Sequence, residues 1–265
     1  MRIAYNHAPD LVYWKLDSYA NFDADQKPRV KQAITQWMKW HRTTQLPDYV
    51  ALLGAHRAEM QRPITPAAVC SLLDRGRERV ERGWMEVLPA VADISLTLKP
   101  DQLRRIGAKI ANANEEARAE QLPASPEERL KARVKRTTES AEKLYGRLGP
   151  EQRAVVEAGV AKSPLDLDLW FAEREERQQD ALKTTRKLIA DGATPAQALT
   201  AYKKLVAELR NSPNPAEAAQ DQRVHEYNCG FWAAIHNSTT PLQRRHAGER
   251  LERWATDFQL LIDEQ

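Results

Sequence analysis

Apolar residues recur along this chain in steps of three and four, and almost no window departs from that rhythm. From Val69 the series runs Val69, Leu73, Gly76, Val80, Trp84 and Val87; from Leu103 it runs Leu103, Ile106, Ile110, Ala113 and Ala117. Tyr202, Leu205, Val206 and Leu209 repeat it, as do Leu251, Trp254, Phe258 and Leu261. A period of 3.6 residues puts each set on one helix face, with charged positions on the other. One stretch, Leu165-Asp166-Leu167-Asp168-Leu169, alternates like a strand, but it is short and runs straight into Trp170 and a charged helical segment. It reads as the approach to a helix. The pattern predicts helices near 10–20, 27–43, 48–61, 66–88, 100–121, 126–147, 150–161, 167–190, 195–210, 215–236 and 241–262.

The breaks between these runs carry helix-start chemistry. Thr65-Pro66, Ser125-Pro126, Gly149-Pro150, Ser163-Pro164, Thr194-Pro195, Asn214-Pro215 and Thr240-Pro241 each place proline behind a residue able to cap a helix. Proline suits the first helical position because the N–H it lacks has no intrahelical partner there. Glu128, Gln152, Gln197, Glu217 and Gln243 stand three residues after a cap, where the side chain can reach back to the cap N–H. Short turns favour antiparallel neighbours. The expected fold is therefore all-α, with about ten helices packed as antiparallel hairpins and no significant sheet. We expect a single elongated helical domain over 1–265, with a possible subdomain break near 120–126, where Gln121-Leu122-Pro123-Ala124 separates two charged helices.

Five segments share one shape: Phe22 to Gln26, Leu98 to Gln102, Leu148 to Gln152, Ala193 to Gln197 and Thr239 to Gln243. The last three glutamines stand 45 and 46 positions apart, about one helical hairpin per unit. Good helix starts resemble one another, so this likeness bears on architecture alone.

Composition narrows the function classes. Lys+Arg is 40 against Asp+Glu 37, a net charge of +3 spread over solvated helix faces. No basic block or aromatic–basic interleaving points to nucleic acid, and none is expected as a partner. The most apolar stretch, Val87 to Leu98, is interrupted by Pro89 and Asp93 and falls short of a membrane span. The first residues lack the apolar run of a signal peptide, so the chain is either cytosolic or has lost a targeting segment. Cys70 and Cys229 fit both settings. A bond between them would close a long loop, worth about 4–5 kcal/mol in the chain-entropy model; two buried free thiols fit at least as well.

Candidate chemistry is sparse. Gly-rich phosphate loops, HExxH, CxxC pairs and the G-x-S-x-G elbow are absent from the sequence, so no catalytic residue is assigned, no cofactor is expected, and a non-enzyme is favoured. His225 and Cys229 lie on adjacent turns of one helix face and His236 returns to it, a weak candidate set for Zn or Cu. Asn112, Asn114, Glu115 and Glu116 cluster, but neighbouring glutamates diverge around a helix and do not pair. Aromatics crowd the first fifth of the chain: Tyr5, Tyr13, Trp14, Tyr19, Phe22, Trp37, Trp40 and Tyr49. A packed N-terminal subcore accounts for them most simply. The functional alternative is an aromatic-lined groove using Tyr5, Asn6, His7, Trp14, Trp40, His41, Arg42 and Tyr49.

Tyr5-Asn6-His7-Ala8, Tyr13-Trp14, Leu16-Asp17-Ser18-Tyr19, Trp40-His41-Arg42 and Leu46-Pro47-Asp48-Tyr49 resemble the N-terminal signature of a family of Gram-negative lipoproteins whose members carry a domain of unknown function. Asn112-x-Asn114-Glu115-Glu116, Leu148-Gly149-Pro150-Glu151-Gln152, Trp170-x-x-Glu173-Arg174-x-x-Arg177-Gln178 and Trp254-x-x-Asp257-Phe258 continue the likeness. The resemblance implies export to the periplasm and anchoring to the outer membrane through a lipidated cysteine upstream of Arg2, which this sequence does not contain. A fainter likeness links Leu98-Lys99-Pro100-Asp101-Gln102 and Leu148-Gly149-Pro150-Glu151-Gln152 to the Leu-Thr-x-x-Gln helix starts of Spy-type periplasmic chaperones. The leading expectation is a non-enzymatic envelope lipoprotein that binds other proteins as adaptor or chaperone. The alternative is a ligand-, lipid- or metal-binding protein, or an unrecognised enzyme, built on the His225/Cys229/His236 helix or the N-terminal aromatics.

Overall fold

A computed structural model describes residues 5–123 and 125–264. Those residues form eleven α-helices and one π-helical turn, with no strand. In chain order they are α1 (Ala8–Ala20), α2 (Gln26–Trp40), the π-helical turn (His41–Gln45), α3 (Leu46–Glu59), α4 (Pro66–Ser95) and α5 (Pro100–Gln121). There follow α6 (Pro126–Tyr145), α7 (Pro150–Lys162), α8 (Leu167–Ala190), α9 (Pro195–Arg210), α10 (Pro215–Ser238) and α11 (Pro241–Asp263). The all-α fold is the one the apolar period required.

Local chemistry sets most of the boundaries. Thr194 and Thr240 each accept from the N–H of the third helical residue, while Gln197 and Gln243 return to the cap N–H, so both ends carry a full capping box. Gly149 has no side chain to accept, and Gln152 alone serves that start through the Gly149 N–H at 2.8 Å. Helix α8 starts at Leu167, where the apolar pattern placed it, although the cap-like pair Ser163-Pro164 opens no helix and Ser163 instead ends α7. Another boundary differs from the expectation. Helix α4 does not stop at 88 but runs through Pro89 to Ser95. An interior proline removes one backbone bond, and the burial of Leu88 and Ala92 on either side holds the helix through it.

The chain divides into two compact units and passes between them five times. Unit 1 takes the chain up to His41, then Arg79–Ala119 and Leu167–Pro213; unit 2 takes Arg42–Glu78, Glu120–Asp166 and Asn214–Gln265. In unit 1, Phe22, Val30 and Ile34 form one core with Ile94, Leu98 and Ile106. Leu88, Ala92, Ala198 and Tyr202 form a second. Unit 2 has a single core of Met60, Ala141, Tyr145, Leu148, Val156, Val160, Ile235, Ala247 and Leu251. There α7 and α10 approach so closely that a Cβ on Gly159 would clash with the edge of the Phe231 ring. Helix hairpins α1/α2 and α8/α9 build unit 1; α6/α7 and the pairs α3/α11 and α7/α10 build unit 2.

The repeated glutamines do more than cap. In unit 1 the buried amides of Gln26 and Gln102 bond to each other in both directions, at 3.1 and 2.8 Å. Each oxygen also accepts from its own helix start, Asp23 N–H or Lys99 N–H. Each nitrogen donates onward to the loop before the other's helix, at Thr97 O and Asn21 O. Unit 2 repeats the arrangement: Gln152 and Gln243 exchange bonds of 2.6 and 3.0 Å, accept from Gly149 and Thr240 N–H, and donate to Ser238 O and Arg147 O. An amide has two donors and one twofold acceptor, so every site on all four side chains is used. Gln197 makes only the local bond, which leaves the fifth copy of the pattern as a plain cap.

Candidate functional site

Helices α4, α8 and α9 of unit 1 leave an open apolar groove between them. Its α4 wall is Trp84, Leu88 and Val91, successive members of one helical face. Its α9 wall is Tyr202, Leu205, Val206 and Leu209, and α8 closes one side with Arg177, Asp180 and Ala181. The floor is rigid: the buried Tyr202 hydroxyl lies 2.9 Å from Ser95 Oγ, to which it donates, and 2.9 Å from Thr185 Oγ1. The mouth is not covered. Trp84 is 49% exposed and Leu209 53%, and Val80, one turn before Trp84, is 63% exposed. Arg177, Asp180 and Glu208 set charges of both signs at the groove.

The cavity holds about 210 Å³. That is below the roughly 300–1,000 Å³ of small-molecule sites, and it suits apolar side chains offered by another surface. With an apolar floor and an open mouth, the groove offers a surface for apolar groups. Sequence reading placed Trp84 and Leu209 on helical faces without singling them out. The available signal was that both faces continue in apolar residues toward Trp84 on one helix and Leu209 on another.

The N-terminal aromatics and their neighbours are divided between the two units. In unit 1, Tyr5 Oη lies 2.9 Å from His41 Nδ1, and His41 stacks on Trp37 with ring centroids 5.0 Å apart. Trp40 packs against Trp37 at 6.0 Å, and the Trp37 indole donates to Gly83 O at 3.0 Å. Burial pushes the His41 imidazole below its usual pKa. Trp14 stands apart, 74% exposed on α1, and Asn6 and His7 are exposed. Arg42 and Tyr49 belong to unit 2, where Arg42 donates to Glu264 O at 3.0 Å and Tyr49 packs on Phe258. In unit 1, Tyr5, Trp37, Trp40 and His41 form one run of ring contacts.

A family model, the family of unknown function DUF6279, matches residues 18–214. The chain belongs to that family. No curated protein and no solved structure is similar to it. The segment matched to DUF6279 contains the whole groove, from Trp84 to Leu209, and ends before α10 and α11.

Beyond that segment lie His225, Cys229 and His236, which the structure separates. Cys229 is bonded to Cys70, with Cα atoms 5.1 Å apart, and this resolves the two cysteines in favour of a disulfide. His225 stays beside Cys229, its Nε2 3.9 Å from the sulfur and 3.3 Å from Asp74 Oδ1. His236 is committed elsewhere. Its Nε2 lies 2.8 Å from Arg62 O and must donate there, so Nδ1 accepts from the Tyr145 hydroxyl at 2.9 Å. Burial lowers the His236 pKa and pushes that of Tyr145 up to about 12, which keeps the imidazole neutral and the phenol protonated. A His225/Cys229/His236 metal set is therefore not assembled. Of the acidic segment, Asn112, Glu115 and Glu116 are exposed, while Asn114 is buried and donates to Gln178 Oε1 at 2.6 Å.

Proposed function

We propose that this DUF6279 protein acts by binding other proteins of the Gram-negative envelope, as adaptor or chaperone, without catalysing a reaction of its own. The open groove of unit 1 carries this reading. A fully buried Trp or Leu side chain contributes about 1.5–3 kcal/mol, and Trp is the residue most enriched at binding hot spots. Trp84 and Leu209 stand half-exposed on either wall of a preformed floor. The mixed charges at its edge suit the polar rim of a protein interface.

Two further observations support an envelope setting. Disulfides persist in oxidising compartments such as the periplasm, and Cys70–Cys229 is one. The likeness to exported lipoproteins implies an N-terminal lipid, which would hold the protein at the outer membrane. No described helix is long and apolar enough to cross a membrane.

Photo-crosslinking residues placed at Trp84 and Leu209 of the lipidated protein test the reading in its native envelope, with Lys135 on α6 as a control position. One dominant adduct at both groove positions identifies an adaptor, and a broad set of unfolded clients identifies a chaperone. Adducts no stronger than those at Lys135 would overturn the proposal. Trp84→Ala should leave the unfolding midpoint nearly unchanged, since its side chain is half solvated, while abolishing capture at Leu209.

A further inference from the structure

Cys70 and Asp74 lie one turn apart on α4, and His225 and Cys229 lie one turn apart on α10. The two turns face each other in antiparallel register within unit 2: Cys70 meets Cys229, and Asp74 meets His225. The two sulfurs and an imidazole nitrogen of His225 all lie within 4.8 Å of one another. We propose that the reduced form of this protein binds one tetrahedral d10 cation, with Zn2+ as its probe, through Cys70, Cys229, His225 and Asp74.

Geometry carries the argument. Zinc bonds of about 2.3 Å to sulfur and about 2.0–2.1 Å to nitrogen and oxygen give a tetrahedron with an S–N edge near 3.6 Å and an N–O edge near 3.4 Å. The corresponding separations here are 3.9 Å from Cys229 Sγ to His225 Nε2, and 3.3 Å from that nitrogen to Asp74 Oδ1. Two edges are already near ligand spacing. Once the bond between them is cut, the sulfurs must part to about 3.7 Å and the exposed Asp74 carboxylate must swing in from His225 to complete the set.

Burial is graded as a site with an entry path needs. Cys229 and His225 are buried, Cys70 is half-buried, and the Asp74 side chain is half-exposed. Two thiolates and an imidazole favour zinc over hard cations such as Mg2+ or Ca2+. A carboxylate completes four ligands, the number that structural zinc sites use.

The redox step balances. A dithiol donor supplies two electrons and two protons; the Cys70–Cys229 bond breaks to two thiols, and the donor closes to its own disulfide. Metal binding then releases both thiol protons, while His225 coordinates through its neutral nitrogen. Disulfide and metal exclude each other, so the same two helix turns are joined by a covalent bond when oxidised and by an ion when reduced.

The test uses full-length protein without a histidine tag, reduced with a phosphine, desalted under argon and titrated with Co2+ and then Zn2+. We expect one equivalent of Co2+ to give intense tetrahedral d–d bands and a thiolate charge-transfer band, both displaced by Zn2+. The oxidised protein should give neither. His225→Ala, which leaves the cysteines in place, should weaken Zn2+ binding about tenfold or more and alter the d–d bands; Asp74→Asn should do so less. The proposal fails if the reduced protein takes up no stoichiometric metal, or if His225→Ala binds as tightly. It also fails if reduction erases the helical circular dichroism and Zn2+ does not restore it.

Discussion

In unit 1, Gln26 and Gln102 clasp two helix starts together, yet Trp84 and Leu209 remain facing solvent. In unit 2, Gln152 and Gln243 clasp two starts in the same way, but a disulfide and the buried Tyr145–His236–Arg62 chain of bonds tie the helices around them. The shared device fixes where helices begin and which loop each start must touch. What differs is how the remaining apolar surface is used. Unit 2 gathers its core into one cluster, down to a glycine pressed against a phenylalanine ring. Unit 1 divides its core in two and leaves part of the second exposed as a groove. A helical unit can thus share its joinery with its neighbour and still keep a surface for something else.

The largest break in this comparison should come from the disulfide. Its closed loop spans a separation of 159 residues, and the chain-entropy model assigns such a bond about 5 kcal/mol. Replacing both cysteines by alanine should lower amide-exchange protection in α6, α7, α10 and α11 far more than in α1, α2 and α9. Equal loss in both units would show that they unfold together and that the contrast has no energetic meaning.

Next come the glutamine pairs. Gln102→Leu and Gln152→Leu each strand a partner amide, one loop carbonyl and one helix-start N–H, for about 2–4 kcal/mol from the unmet bonds. Denaturant midpoints should fall by similar amounts for the two variants if the clasps are equivalent. A double-mutant cycle across Gln26 and Gln102 should show coupling of about 1–3 kcal/mol; additive losses would mean that the reciprocal bond is incidental.

Glycines sharpen the contrast in packing. Gly159→Ala in unit 2 must displace the Phe231 ring and should cost about 1–3 kcal/mol as overpacking. Gly83→Ala in unit 1 brings a Cβ to an ordinary 3.7 Å from the Trp37 ring and should stabilise α4 by about 0.5–1 kcal/mol. Opposite signs in the unfolding midpoint check the pair.

The smallest effect is a pH slope. Burial holds His236 below its ordinary 6.5, so as pH falls the unfolded chain takes up the proton first. Its contribution is whole above about pH 6.5 and declines below it as the native pKa is approached. His41 in unit 1 shifts in the same direction for the same reason. The midpoint should drop between pH 7 and 5.5, and His236→Gln should flatten that drop; an unchanged slope would remove His236 from the account.

Helix existence was legible because its causes are local: the spacing of Leu103, Ile106 and Ile110, or a threonine with glutamine three residues later. Pro89 misled for the same reason, since the burial that carries α4 through it is tertiary. The repeated glutamines were visible as a pattern, but their pairing was not. Partners stand 76 and 91 residues apart, and no local rule selects them. Cysteine spacing left the disulfide open. The groove escaped because an apolar face looks the same in sequence whether it is covered or bare. What sets Trp84 apart from the more exposed Trp14 is its place on the wall of a groove, which only the packing of three helices creates.

The five crossings between units give the chain a schedule. A ribosome or an export channel delivers residues in order, and unit 1 has its last segment once Pro213 has emerged. Unit 2 must wait with α3, half of α4, α6 and α7 already delivered but without α10 and α11. Through that interval Cys70 has no partner, Gln152 has no second amide, and the apolar faces that Ile235 and Leu251 will cover stand bare. The last fifth of the chain is therefore the closing piece, and a nascent or partly exported molecule holds a finished unit 1 beside an unsealed unit 2.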